Sequence, residues 1–222
     1  PRPVVLVGAQ RSSDRPSSDS YGNLLSAARL CVNADAAEVF VLMHGETSDS
    51  CAHVHRGTKV RKMHTSRRDA FQSVNASPVA RISLQGELEM LSEYRRKNKV
   101  KVVPDVRMEK EVALLHFHPG MNPSLVKKVM EDQKGLVMAG TGLGHVSREM
   151  VHALKEVVAS GKPVVMTSQC LGGRVNLNVY DTGRDLLSAG VIPGEDMLPE
   201  TALVKLMWVL GRTEDPDLVK KM

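Results

Sequence analysis

Three short apolar runs, Val112 to Phe117, Gly135 to Ala139 and Pro163 to Thr167, alternate with two segments of helical spacing, Ser124 to Asp132 and Ser147 to Ser160. No other feature of the chain restricts its fold as much. Runs of five or six residues without polar alternation belong to strands buried on both faces. Helices between such strands return the chain so that successive strands lie parallel, and a parallel sheet must be covered on both sides. Glu200 to Gly211 closes this part as a helix with Leu203, Leu206, Met207 and Leu210 on one face, and Val175 to Val179 is expected to add a short strand.

The same grammar begins the chain. Val4 to Val7 is an apolar run ending at Gly8, Gly22 to Asn33 has helical spacing at Leu24, Leu25, Ala28 and Val32, and Ala37 to His44 reads as the next strand. Between the first strand and the helix, Ser12 to Ser20 is rich in Ser, Asp, Arg and Pro, hence a loop at a strand's carboxyl end, where open α/β sheets place ligands. Asp14 and Asp19 there are candidates to bind an amino group or a neighbouring subunit; capping of the helix by Ser18 or Asp19 is the other reading. Residues 83–108 are polar and charge-dense, with Gly86, a helix-like Leu88 to Arg96 and Pro104, and read as a linker. The expected organisation is therefore one α/β lobe over 1–82, a linker over 83–108 and a smaller α/β domain over 109–222.

Composition sets the outer bounds. A chain of 222 residues that is 42% hydrophobic and 25% charged has the make-up of a globular protein, and with only 3% aromatic residues its cores must be aliphatic. Cys31, Cys51 and Cys170 are odd in number and lack Cys-x-x-Cys spacing, which points away from a disulfide scaffold and toward a reducing cytoplasm. No apolar run approaches the roughly 18 residues of a membrane span, and no leader pattern is present, so no membrane association is expected. A net charge of +5 is mild. Arg95, Arg96, Lys97, Lys99 and Lys101 form a basic cluster able to contact phosphates without reading sequence; an exposed polar linker is the alternative.

Several motifs have some of the residues a cofactor needs, and none has the full set. Ala139-Gly-Thr-Gly-Leu-Gly-His-Val-Ser147 follows a strand and opens a helix, but His145 stands where a dinucleotide fingerprint needs its third glycine and no acidic residue closes the next strand near Met166. The glycines are better explained by positive φ and close strand-helix approach, with Ser147 capping the helix. His53 with His55, and His116 with His118, each place two donors on one side of a strand, but nothing nearby completes a zinc set. Cys170 has no partner base and reads as a small buried hydrophobe. No cofactor and no metal is expected.

The stretch His55 to Asn75 carries the strongest chemistry. Lys62 has the pattern of a buried lysine among Arg61, His64, Arg67 and Arg68, and neighbouring like charge disfavours an ammonium, the condition under which a lysine can move protons. A solvated basic loop is the alternative. Pro-Val-Val-Leu-Val-Gly-Ala-Gln-Arg (3–11), Ser18-Asp19, Asn23-Leu24 and the Lys62 to Asn75 segment, in this order, resemble the L-asparaginase/glutaminase family over nearly the whole chain. Residues 12–19 and 59–69 most resemble one branch of it, the D subunit of the archaeal glutamyl-tRNA(Gln) amidotransferase.

The resemblance implies an asparaginase-like α/β fold: part of an N-terminal parallel-sheet domain, then a smaller flavodoxin-like C-terminal domain. It implies an amidohydrolase that releases ammonia from asparagine or glutamine, as the amidase subunit that serves a kinase-like partner forming Gln-tRNA(Gln) from Glu-tRNA(Gln). Self-association is implied as well. Of the family's catalytic set, two threonines, an aspartate and a lysine, only the lysine maps here, onto Lys62, with Asp19, Thr65, Ser66 and Asp69 as substrate-binding or supporting residues. The family's Thr-Gly-Gly-Thr and His-Gly-Thr-Asp-Thr motifs do not occur among the 222 residues. The chain is therefore expected to start inside the catalytic domain, as a fragment or as one of two polypeptides sharing a site. A plain L-asparaginase and a non-catalytic α/β module that binds an amino acid or a protein are the alternatives. The loop His118 to Pro123 has Gly120 where many asparaginases place an asparagine that reaches a neighbouring subunit's site, and Asn122 is displaced from that place.

Overall fold

The computed structural model describes residues 1–221, which divide into one unit over Pro1–Pro104 and another over Asp105 onward. The division falls within the stretch read as a linker, whose first residues belong to the sheet of the first unit.

In the first unit, β1 (Val4–Val7) is followed by α1 (Ser20–Asn33), β2 (Val39–His44), β3 (Cys51–Arg56), β4 (Val60–Lys62), β5 (Phe71–Ser73), β6 (Ala80–Ser83) and β7 (Leu88–Met90). β1 and β2 run parallel, with α1 as the crossover, and β3, β6 and β7 extend the sheet antiparallel in the order β1-β2-β3-β6-β7. β4 and β5 form a separate hairpin in which Lys62 faces Phe71. Leu88 to Arg96 is thus not helix-like: Leu88–Met90 is the edge strand, and its Leu88 and Met90 pack on the core while Glu89 between them is exposed. This is the period of a strand.

α1 lies on one sheet face because Ala27 and Leu30, one turn apart, meet Phe40 and Leu42 of β2, Ala52 and Val54 of β3, and Ala80 and Ile82 of β6. Burial of each large side chain contributes roughly 2 kcal/mol. Glu38, just before β2, accepts from Arg56 Nε at 2.6 Å and from the Arg95 backbone N–H at 2.7 Å, and Ala37 N–H donates to Arg95 O, so the start of the basic cluster is sewn to this sheet. Lys97 Nζ reaches the Cys31 carbonyl.

In the second unit the order is β8 (Val112–His116), α2 (Pro123–Met130), β9 (Gly135–Gly140), α3 (Arg148–Ala159), β10 (Val164–Ser168), α4 (Asp181–Ser188), β11 (Ile192–Pro193), α5 (Pro199–Leu210) and α6 (Pro216–Lys221). The sheet is wholly parallel, in the order β11-β10-β9-β8. Every residue of β9 is buried: Leu136 and Met138 face α2, α3 and α4 with Met150, Leu154 and Leu186, while Val137 faces Leu206 and Val209 of α5. The unbroken apolar run reflects cover on both faces. Asn122 caps α2 by accepting from Ser124 N–H, Ser147 caps α3 by accepting from Met150 N–H, and Pro123 and Pro199 occupy first-turn positions that need no donor.

Val175 to Val179 is not a strand. Val175 and Leu177 instead enter the core from irregular backbone, and the fourth strand is the two-residue β11. Leu177 also fixes the approach of α4, because a Cβ on Gly183 would lie 2.3 Å from the Leu177 carbonyl oxygen. Gly183→Ala is expected to destabilise this unit by about 2 kcal/mol, since backbone rather than a flexible side chain must give way. Urea unfolding measures it, and a loss below a few tenths would show that the helix shifts freely. In the glycine-rich turn, Gly142 and Gly144 adopt positive φ of 52° and 99°, and Gly140 packs against the backbone of Gly144 and His145, which supports the structural reading of these glycines.

Candidate functional site

The residues singled out around Lys62 gather at one end of the first unit, where the loop after β1, the start of α1 and the tip of the β4–β5 hairpin meet. Asp19 is the best-buried of them, at 3% exposure. It occupies the N-cap position of α1 yet its side chain makes no capping bond to the helix backbone. Its carboxylate turns to the loop, accepting from the backbone N–H of Gln10 and of Arg11, each at 3.0 Å, and from Asn23 Nδ2 at 2.8 Å. Asn23, one turn into α1, also donates to Gly8 O. Burial acts most strongly on this carboxyl and pushes it up, but the Arg11, Gln10 and Asn23 donors together hold it below the ordinary carboxylate value. Ser18 does serve the helix start: its hydroxyl accepts from the backbone N–H of Ser20, the first residue of α1, at 3.2 Å and donates to Arg11 O. Asp14, the other acidic residue of this loop, is exposed.

Gln10 then carries the loop to the hairpin. Its Nε2 donates to the Thr65 carbonyl at 3.0 Å. The hairpin tip is closed below by Met63 N–H to Ala70 O, and inside by His64, whose Nδ1 accepts from the backbone N–H of Ser66 and of Arg67. Asp19, Gln10, Thr65 and Lys62 therefore belong to one connected set. Gln10 does not stand out in the sequence, and no local signal marks it.

Two expectations are corrected. Lys62 is exposed rather than buried, its amine lying 5.9 Å from the centre of the Phe71 ring. The arginines beside it are also paired. Arg67 grips Asp69 through both guanidinium edges, and Arg68, with only 15% of its side chain exposed, pairs with Asp49 from the β2–β3 turn. Like charge around Lys62 is thus largely compensated, and Asp69 is engaged by Arg67. The Arg67 hydrogen bond is the main cause that holds the Asp69 carboxyl below its usual value, against a smaller effect of burial. Asp49 also lies 3.3 Å from Nε2 of the buried His44, so the β2–β3 turn clamps the hairpin tip from the side opposite Gln10.

His55 secures the hairpin's base. It is 1% exposed, and its Nδ1 lies 2.8 Å from Ser73 Oγ on β5. Burial, with a smaller push from His53, lowers it to about 4 from 6.5. The folded form therefore stays neutral where an unfolded chain takes up a proton. Stability contributed by neutral His55 is complete above pH 6.5 and falls between 6.5 and 4 by about 3 kcal/mol. Urea unfolding at pH 7, 5 and 4, beside His55→Gln, isolates this share. Equal acid sensitivity in both proteins would refute it.

His53 sits beside His55 on β3 at a ring separation of 6.0 Å, but among the described residues no three His, Cys, Asp or Glu side chains are grouped to hold a metal ion. Cys170 is exposed, not buried, and Cys31, Cys51 and Cys170 are all free thiols. No helix of the described residues is long and apolar enough to cross a membrane.

An α/β chain of two units, the first with a lysine-bearing hairpin beside its first strand's carboxyl end, has an asparaginase-like α/β fold. The family model "Asparaginase, N-terminal" matches residues 1–96 and "Glutaminase/Asparaginase C-terminal domain" matches residues 111–222, and the chain belongs to this asparaginase/glutaminase family. Among named relatives, the D subunit of the glutamyl-tRNA(Gln) amidotransferase of Pyrococcus furiosus is 58% identical over 223 residues, covering 100% of this chain and 51% of the relative. The protein of the same name from Methanosarcina acetivorans is 52% identical over 217 residues, covering 97% and 51%. The chain spans about half the length of these curated relatives. The thermostable L-asparaginase from Thermococcus kodakarensis superposes with a TM-score of 0.90 at 32% identity, covering 100% of this chain and 65% of that one. A probable cytoplasmic L-asparaginase from Campylobacter jejuni superposes at 0.81 and 28% identity, covering 99% and 70%.

Proposed function

We propose that these residues are part of an amidohydrolase that releases ammonia from asparagine or glutamine, in the service of a tRNA-dependent amidotransferase, with Lys62 as the proton-transfer residue. The observation that carries the reading is the 58% identity to the D subunit of an archaeal amidotransferase across the whole chain, including the Lys62 segment. In the reaction, a threonine hydroxyl attacks the side-chain amide carbon while its proton passes to a neutral lysine amine. The lysine returns that proton to the departing amine, ammonia leaves, and water hydrolyses the acyl-enzyme. Asp19, Thr65, Ser66 and Asp69 act as supports: Asp19 through Gln10, Thr65 through its carbonyl, and Ser66 and Asp69 by shaping the tip.

The family's two threonine motifs are not among the 222 residues, so the nucleophile is to be sought in the gene product that carries them. The released ammonia would pass to a kinase-like partner subunit that activates Glu-tRNA(Gln) in the cytoplasm, and self-association accompanies the family's composite sites. Ammonia release from asparagine and from glutamine by that gene product tests the reading, and no release from either amide, with or without a co-expressed partner, would overturn it. A stand-alone L-asparaginase is the second reading, favoured by the TM-score of 0.90 to one. Release unaffected by Glu-tRNA(Gln) and partner would select it.

A further inference from the structure

We propose that Gln10 is a positioning residue for Lys62, and that Asp19 sets Gln10; the inference rests on the amidohydrolase reading above. The chain of contacts is short and each link has one function. Asp19, buried and with Asn23 holding one of its oxygens, accepts the Gln10 and Arg11 backbone N–H groups and so fixes where the Gln10 side chain starts. The Gln10 amide then donates to Thr65 O at 3.0 Å, three residues past Lys62. Of the hydrogen bonds that reach the tip loop 63–70 from outside the hairpin, this is the one that comes from the end of β1. Strand pairing fixes the hairpin's internal register, Lys62 opposite Phe71, His55 holds its base through Ser73 and Asp49 holds its tip through Arg68. Gln10 adds the tie from the tip to the end of β1.

The geometry suits a positioning role and not a chemical one. Gln10 spends its donor on a backbone carbonyl, and Gln10→Met removes that donor without changing the charge of the site. Ligands of open α/β sheets bind at the carboxyl ends of strands, and a displacement of about 1 Å between a catalytic group and such a ligand costs about 100-fold in rate. Asp49, which holds Arg68, sits in an exposed turn and makes its tie to the tip three residues beyond Thr65.

The test compares wild type, Gln10→Met, Gln10→Lys and Lys62→Met in the gene product that carries these residues. Gln10→Met keeps length and the backbone bonds to Asp19 but removes the donor. It is expected to lower kcat about 100-fold with KM changed less than about threefold, at an unchanged thermal midpoint. Amide hydrogen exchange over residues 63–70 should accelerate about tenfold in the same variant. Gln10→Lys restores a donor of similar reach and should recover at least about a tenth of wild-type kcat. Wild-type kcat or unchanged exchange in Gln10→Met, or no recovery in Gln10→Lys, would overturn the positioning role. If Lys62→Met is inactive while Gln10→Met is not impaired, this inference alone fails. If wild type is inactive, or Lys62→Met is fully active, the amidohydrolase reading with Lys62 fails and takes the inference with it.

Discussion

Lys62→Met is expected to reduce ammonia release from asparagine or glutamine by about 10²- to 10⁴-fold, the range that a positioned proton-transfer group contributes. The substitution keeps an unbranched side chain of similar length and loses only a long approach of the amine to the Phe71 ring at 5.9 Å, and Lys62 is exposed, so the thermal midpoint should not move. Lys62→Arg sharpens the test. It keeps the positive charge over Phe71 but holds its proton at any working pH, so it should be nearly as inactive as the methionine variant. If arginine restores activity, the residue contributes charge and not a proton. If methionine retains more than about a tenth of wild-type kcat, Lys62 is not the base.

The charge pairing limits how that base can be tuned. Arg67 is taken by Asp69 and Arg68 by Asp49, so the loop does not press a bare cluster of cations on the amine.

The second unit was legible because its strands are short apolar runs: Gly135–Gly140 is buried throughout, and Val112–His116 and Val164–Ser168 carry polar residues only toward their carboxyl ends. β11 escaped because two residues, one of them proline, carry no period, while Val175 to Val179 alternates like a strand although its valine and leucine enter the core from irregular backbone. In the first unit β4 and β5 are three residues each, and Val-Arg-Lys reads as charge before it reads as strand. At the site, the sequence singles out Lys62 through its basic neighbours and through resemblance, whereas the fold pairs Arg67 and Arg68 with carboxylates. Several partners lie 18 or more positions away, as with Ser73 for His55, Asp49 for Arg68 and Gln10 for Thr65, and a linear pattern does not encode such pairings. Asp19 reads in the sequence as a candidate to bind an amino group or a neighbouring subunit, or as a helix cap, whereas the fold turns its carboxylate to the loop.

Asp19 should accordingly be the most costly of these residues to remove. Asp19→Ala would strand two backbone N–H groups and the Asn23 amide around a position that is 3% exposed. An unsatisfied buried donor costs about 1 to 3 kcal/mol, and with Gln10 and Arg11 partly open to water the sum is expected near 4 kcal/mol. That is a large share of the roughly 5 to 15 kcal/mol that holds a domain together. Asp19→Asn keeps one acceptor and should cost about half as much. The sign of the pH dependence follows from the depressed carboxyl: its stabilisation is whole above the ordinary value of 3.8 and is lost as pH falls through the lower folded value. Urea unfolding of Asp19→Asn should lack this acid limb, and a cost for Asp19→Ala under about 1 kcal/mol would show that water replaces the carboxylate. Because Asp19 acts on the hairpin through Gln10, the losses in kcat from Asp19→Asn and Gln10→Met should fall short of additivity when combined. Full additivity would separate the two residues and leave Asp19 a purely structural anchor of the loop.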